Sequence, residues 1–306
     1  MNMINLIKKL RNATQAGFMD CKKALELTAE KIKAENQNFS ENQHLDAAIK
    51  WLRENGIAKA ADKNANKVAA EGITLVAKDD KGVALFELNT QTDFTAASES
   101  VVQLSEKILS AILDHQTTTL EQTLALKLDD NTTIKDACLA LSATTGEKIE
   151  LRRLIYYPLK DQQSVGYYVH NNKKIAAFII FDQNADPEQL KGMAMHLAAM
   201  DPKFLDQKQV DQTWLNNERD ILMTQLSKED KPKEFQERII NGRIQKLLAE
   251  VCLVSQSYIL NDTLTVGEFA KSLNVKPIFM ARFKVGDGIE KNEVDFASEV
   301  AAQMRS

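Results

Sequence analysis

Disulfide and zinc chemistry have little to work with in this chain. Among 306 residues there are three cysteines, Cys21, Cys138 and Cys252, too far apart for a CxxC pair or a zinc-ribbon spacing. A sparse, odd count fits a reducing compartment, where such thiols fill cores. Long apolar runs are missing too: none approaches the ~20 residues of a membrane span. The opening MNMINLIKKLRN is apolar and basic, yet no extended apolar region and no small-residue cleavage site follow it. A cytoplasmic chain with no membrane partner is expected. Nor does one sign of charge dominate. Lys and Arg number 39 against 43 Asp and Glu, for a net charge of −4, and no basic run marks a nucleic-acid footprint. Direct binding to RNA or DNA is not expected.

Recognisable catalytic motifs are also lacking. The phosphate cradle GxxxxGK[ST] is absent, as are GxGxxG, GxSxG and HExxH. His44, His115, His170 and His196 sit in separate segments without ligand spacing, the pattern of surface or hydrogen-bonded core residues. With 43 acidic residues, carboxylate pairs arise by chance. The expectation is therefore no cofactor, no metal and no catalytic set. If an unfamiliar enzyme site exists, Cys21 is its best candidate, because Lys22 and Lys23 beside it can depress a thiol pKa.

What is present is an ordinary globular balance, 44% hydrophobic and 27% charged, on a chain long enough for two or three packing units. The first ~55 residues read as helical. Ile4, Ile7 and Leu10 recur at helical spacing until Gly17. Phe18, Cys21 and Leu25 form a second stripe, and Leu45, Ala48, Ile49 and Leu52 a third, stopped by Gly56. The polar KIKAENQNFSENQ between them is an insertion or a frayed helical extension. ITLVAK-DDKG-VALFELN is a hairpin signal. A helix from about Ser98 to His115, a loop from Gln116 to Gln122, and a helix through TIKDACLALSATT closed by Gly146 follow. IELRRLIYYPL, VGYYVH and KIAAFIIFD read as strands, and Pro187 opens another helix.

From Val210 to Glu229 and from Lys233 to Val251 two helical runs flank Lys231-Pro232. Trp214, Ile221 and Leu222 on one can meet Phe235, Ile239, Leu247 and Val251 on the other, as an antiparallel helical hairpin. A short helix near TVGEFAKSL, a strand near PIFMARFKV and an amphipathic helix from about Glu293 to Met304 complete the chain.

One junction combines unusual groups. After VALFELN comes Thr90-Gln91-Thr92-Asp93-Phe94-Thr95-Ala96, polar turn-formers with an aromatic at the strand-to-helix transition. Two readings are open. Phe94 is a buried anchor with Asp93 capping the helix, or Phe94 is an exposed wedge of the kind that makes a binding hot spot.

LRNATQAGFMDCKKAL and FELNTQTDFTA resemble the two signatures of the elongation factor Ts family. The resemblance continues through AAEGI, GEKIELRR, HLAAMDPKFL, KPKEFQERIINGRIQKLLAEVCLVSQSYI and RFKVGDGIEK, in the family's order, from Ile4 to Met304. It implies an α+β protein: a small three-helix (UBA-like) N-terminal domain (1–56), a two-part α+β core with antiparallel sheets (57–145, then 146–207 with 252–285), a protruding antiparallel helical hairpin for dimerisation (208–251), and a C-terminal helical module (286–306). It further implies a guanine-nucleotide exchange factor for the GTPase elongation factor Tu. Thr92, Asp93, Phe94 and Thr95 would insert beside the partner's nucleotide, with Phe94 as wedge and Asp93 in support, displacing the elements that hold Mg²⁺. Arg11, Phe18 and Met19 would touch the GTPase, His170 and His196 its distal domain, and the C-terminal helix its GTPase domain. The hairpin could instead stabilise a one-to-one complex, and a dimerising scaffold without exchange activity is the competing reading. Departures from the family pattern are Thr95 for the common Val, Thr90 for Cys, Gln15 for Gly and Phe18 for Met. None touches Asp93-Phe94. The polar insertion between Glu30 and His44 lengthens the N-terminal domain.

Overall fold

The computed structural model describes residues 3–14, 18–34, 40–64, 67–130, 132–227 and 233–290. Three helices come first: α1 (Met3–Thr14), α2 (Phe18–Ala34) and α3 (Glu41–Asn64). They close around Leu6, Ile7, Leu10, Cys21, Ala24, Leu25 and Ala48, residues spaced to form one apolar stripe on each helix. Ile4 and Phe18, which the spacing assigns to those stripes, are exposed instead. The polar run after Glu30 begins as a continuation of α2 to Ala34, while its residues 35–39, like Gly17, lie outside the described residues. Gly56 does not stop α3, which runs on to Asn64. A glycine inside a helix costs about 1 kcal/mol relative to alanine and does not by itself end it.

β1 (Glu71–Lys78) and β2 (Gly82–Thr90) form the expected hairpin, in register from Glu71 opposite Thr90 to Lys78 opposite Val83. Asp79 makes the turn: its Oδ1 accepts the N–H groups of Lys81 and Gly82, both at 2.8 Å. A one-turn helix α4 (Asp93–Ala96) leads into α5 (Glu99–His115). The expected loop from Gln116 is cut short, because Thr119 caps α6 (Leu120–Leu124). The short pair β3 (Lys127–Asp129) and β4 (Thr132–Thr133) precedes α7 (Ile134–Thr145). α7 opens on a Thr133–Asp136 capping box and closes on Gly146 at φ 75°. β5 (Glu150–Pro158) then pairs with the free edge of β2, giving the order β1-β2-β5.

β6 (Ser164–Val169), β7 (Ile175–Phe181) and the helix α8 (Pro187–Met200) follow, with Pro187 in the first turn. Next are α9 (Gln212–Ser227) and α10 (Lys233–Val251), packed together through Leu226, Ile240, Ile244 and Leu248, with Trp214, Leu222, Ile239 and Val251 at the margin. Ile221 and Phe235, expected in that seam, are about half exposed, at 50% and 48%. The pair β8 (Ser257–Tyr258) and β9 (Asn261–Thr265), α11 (Val266–Ser272) and β10 (Pro277–Lys284) close the described chain. β10 joins the second sheet in the order β10-β7-β6. The expected helix from Glu293 to Met304 lies outside the described residues.

Side-chain alternation along the strands stacks these pieces in layers. On β2, Ala84, Phe86 and Leu88 face α5 and α7, while Val83 and Leu85 face Phe178 and Ile180 of β7. On β7, Ala177, Ile179 and Phe181 turn to α8 and α11. The order is helices, sheet, sheet, helices, so β2 is buried along its whole length. Contact between α8 and β6 is close enough that a Cβ at Gly166 would collide with the Leu190 carbonyl. Among the described residues no helix is long and apolar enough to cross a membrane.

Candidate functional site

Strand β2 delivers the chain to the Thr92–Thr95 junction from the most buried strand of the first sheet. At its end the Thr90 hydroxyl donates to the Thr92 carbonyl at 2.7 Å. Thr92 is extended (φ −118°, ψ 155°) and its Oγ1 accepts the Thr95 N–H at 3.2 Å. Thr92 is therefore the cap of α4. Asp93, expected in that role, is the first helical residue and stands exposed. Phe94 is 86% exposed, and Ala96 is the residue of α4 that the core takes up. The buried-anchor reading of Phe94 is thus corrected: the ring projects into solvent, forgoing the ~2 kcal/mol that burying it would contribute.

The opposite side of the junction is the turn after α7. Glu147 receives the Thr92 N–H on Oε2 at 3.0 Å and the Thr92 hydroxyl on Oε1 at 2.7 Å. Gln91 Oε1 accepts the Lys148 N–H at 3.0 Å and one Lys67 Nζ hydrogen at 3.2 Å. Lys67 Nζ also donates to the Gly146 carbonyl at 2.8 Å. Hydrogen bonds on ionised groups are the stronger kind, so the exposed aromatic stands on a fastened base. Lys67, Gln91 and Glu147 escape a motif-based reading because their partners lie 24 and 55 positions away.

The other expected contact residues sit on separate elements. Arg11 is exposed on α1, and Phe18 and Met19 are exposed at 48% and 68% at the start of α2. His170 is exposed at the β6–β7 turn, its Nδ1 2.9 Å from the Tyr168 hydroxyl. His196 is a correction. It is fully buried on α8, with Nε2 2.9 Å from Gln256 Oε1 and Nδ1 accepting the Ile259 N–H at 3.1 Å, so it offers no surface to a partner. Cys21 is a second correction. It is buried, and burial pushes its thiol up, outweighing the Thr14 hydrogen bond and the Arg11 charge that lower it. That is the opposite of a reactive thiolate. Burial likewise pushes Cys138 up, to about 12. Among the described residues no group of three or more His, Cys, Asp or Glu is arranged to hold a metal.

The family model described as Elongation factor TS matches residues 91–287, opening within this junction. Curated relatives named Elongation factor Ts are similar along the whole chain. That of Mycoplasmoides gallisepticum is 42% identical over 304 residues, covering 99% of each chain. That of Mycoplasma pneumoniae is 42% identical over 308 residues, covering 99% of this chain and 98% of its own. That of Ureaplasma urealyticum serovar 10 is 40% identical over 306 residues, covering all of both. With a match of this extent and in this register, the chain belongs to the elongation factor Ts family.

Proposed function

We propose that this chain is a guanine-nucleotide exchange factor for elongation factor Tu, acting in the cytoplasm by binding and conformational change, with no acid, base or nucleophile of its own. The observation that carries the reading is the exposed ring of Phe94 on a base held by Thr92 and Glu147. An aromatic kept out of the core on a fixed scaffold is the anchor type that dominates binding energy at interfaces. Phe94 wedges between two helices of the GTPase, Asp93 supports the insertion, and Thr92 and Thr95 shape the turn that carries them. The partner's Mg²⁺, often the largest local charge in a nucleotide site, loses its bridge to the phosphates. By linkage the factor weakens GDP as much as GDP weakens the factor, so exchange is catalysed without shifting the nucleotide equilibrium, and GTP rebinds.

Arg11, Phe18 and Met19 add a contact from the helical N-terminal unit, and His170 one from the second sheet. The same reading treats residues 1–56 as a UBA-like domain, 57–145 and 146–207 with 252–285 as the halves of the core, 208–251 as a hairpin and 286–306 as a C-terminal module on the GTPase. Exposed Ile221, Met223 and Phe235 on α9 and α10 are apolar surface for homodimerisation through that hairpin.

The test is release of a fluorescent GDP analogue from purified elongation factor Tu. Phe94→Ala is expected to slow stimulated release roughly thirtyfold, the effect of losing a hot spot of about 2 kcal/mol, with thermal unfolding unchanged. Wild-type release in that variant would end the wedge mechanism. Absence of any stimulation by the wild-type chain would leave a scaffold role in its place.

A further inference from the structure

We infer that Glu147 is the positioning residue of the exchange loop: it sets the direction in which Phe94 projects, from a turn 55 residues beyond Thr92. This assignment rests on the exchange role proposed above.

The argument starts from the weakness of α4. A single helical turn fixes more backbone freedom than its one or two hydrogen bonds repay, so α4 needs support at both ends. On the far side Ala96 is buried and the Ser98 hydroxyl donates to the Thr95 carbonyl at 2.7 Å. On the near side the support is Glu147. Each of its carboxylate oxygens reaches Thr92, one accepting the N–H and the other the hydroxyl hydrogen. That geometry fixes both the backbone and the hydroxyl rotor of Thr92. With its hydrogen committed to Glu147, Oγ1 presents a lone pair to the Thr95 N–H, which it accepts. The sequence of dependence is Glu147, the Thr92 hydroxyl, the cap of α4, and then the ring.

Glu147 is itself held from a rigid element. It follows Gly146, the left-handed cap of α7, whose carbonyl accepts from Lys67. The next two N–H groups are fixed as well: Lys148 donates to Gln91 Oε1, and Ile149 donates to the buried Ser142 hydroxyl at 2.8 Å. A carboxylate on so constrained a backbone can hold Thr92 without being ordered first. Preorganisation of this kind acts on the step in which the ring enters the partner, since a misplacement of about 1 Å can cost on the order of a hundredfold in rate.

The experiment uses the full chain in the GDP-analogue release assay, separating the maximal stimulated rate from the half-saturating concentration, with thermal unfolding measured alongside. Glu147→Ala is expected to lower the maximal rate about tenfold while unfolding at the wild-type temperature. Glu147→Gln, which keeps one acceptor oxygen in place, is expected to recover part of that loss. In a Phe94→Ala background, Glu147→Ala is expected to add nothing, because its effect passes through the ring. A wild-type maximal rate in Glu147→Ala, or an equally large further loss in the Phe94→Ala background, overturns the assignment. A slow Phe94→Ala beside a fast Glu147→Ala overturns the positioning role alone. A wild-type rate in Phe94→Ala overturns the wedge and the assignment together. If Glu147→Ala unfolds early, Glu147→Gln decides: a fully wild-type maximal rate, with only one of the two acceptor oxygens left for Thr92, also counts against it.

Discussion

His196 is held neutral by its surroundings. Gln256 Nε2 donates to the Glu250 carbonyl at 2.6 Å, which leaves Gln256 Oε1 as the acceptor facing the imidazole. The ring proton therefore sits on Nε2, and Nδ1 is free to accept from Ile259. Desolvation holds the imidazole pKa below its ordinary 6.5, and the Gln256 hydrogen bond only partly opposes it. The folded pKa thus lies below the unfolded one, so the unfolded chain takes up the proton first as the pH falls. The stabilisation is fully present above the unfolded pKa and is lost progressively below about 6.5. Urea midpoints measured between about pH 7.5 and pH 5.5 should fall on acidification. His196→Gln should show a shallower dependence over the same window, even if it starts from lower stability. Equal slopes in both proteins would assign the acid sensitivity elsewhere.

At the scale of elements, α7 matters beyond its own stability because its C-terminal turn carries Glu147. Its start is a reciprocal cap: Thr133 Oγ1 accepts the Asp136 N–H at 3.1 Å and donates to Asp136 Oδ2 at 2.7 Å, while the Thr133 N–H reaches the same carboxylate at 3.4 Å. Thr133→Ala is expected to lower unfolding free energy by about 1 kcal/mol, seen as an earlier urea midpoint with an unchanged slope. No measurable shift would mean that water replaces the cap. Signals as local as this one are the readable part of the chain. Gly146 after α7, Pro187 at the start of α8 and the Asp-Asp-Lys-Gly turn each act within a few residues, and each sits where the sequence places it. The failures are of another kind. Gly56 alone does not settle how far α3 runs, and whether Ile221 and Phe235 join a seam depends on what packs beside them. Exposure of Phe94 is equally non-local: the sequence offers a turn-former, an acid and an aromatic, and both buried and exposed placements satisfy that string. The family resemblance favoured the exposed one. Glu147 and Lys67 had no local mark, because only the pairing of β5 with β2 brings the α7 turn beside the end of β2.

Across the whole molecule, one buried carboxylate joins the two sheets. Glu87 lies on the face of β2 turned to the second sheet and is fully buried. Arg153 Nε reaches its Oε2 at 2.6 Å, Arg152 Nη1 reaches its Oε1 at 3.1 Å, and the Gly286 N–H donates to Oε1 at 2.8 Å. Consecutive residues of a regular strand face opposite sides, so two neighbouring arginines should not meet one carboxylate. A β-bulge explains how they do. Glu87 is opposite Arg153 while Leu88 is opposite Leu151, which leaves Arg152 as the extra residue. The guanidinium groups continue outward, Arg152 Nη2 to the Asp287 carbonyl at 2.6 Å and Arg153 Nη2 to the Lys284 carbonyl at 3.0 Å. Arg153 also lies 4.2 Å from the centre of the Phe283 ring. The chain leaving β10 is thereby clamped to β2 and β5, and Gly286 permits it: φ is +76° there, and a Cβ would collide with the Ala70 carbonyl. Glu87→Ala leaves two arginines and the part-buried Gly286 N–H without their acceptor, a loss of about 3 kcal/mol for a broken buried pair. Urea unfolding should report it as a large drop in midpoint. Phe94 stands beyond the end of the same strand, so stimulated GDP release by the folded Glu87→Ala protein should fall less than its stability does. A loss under about 1 kcal/mol, the range of a solvated surface pair, would show that the clamp does not join the sheets.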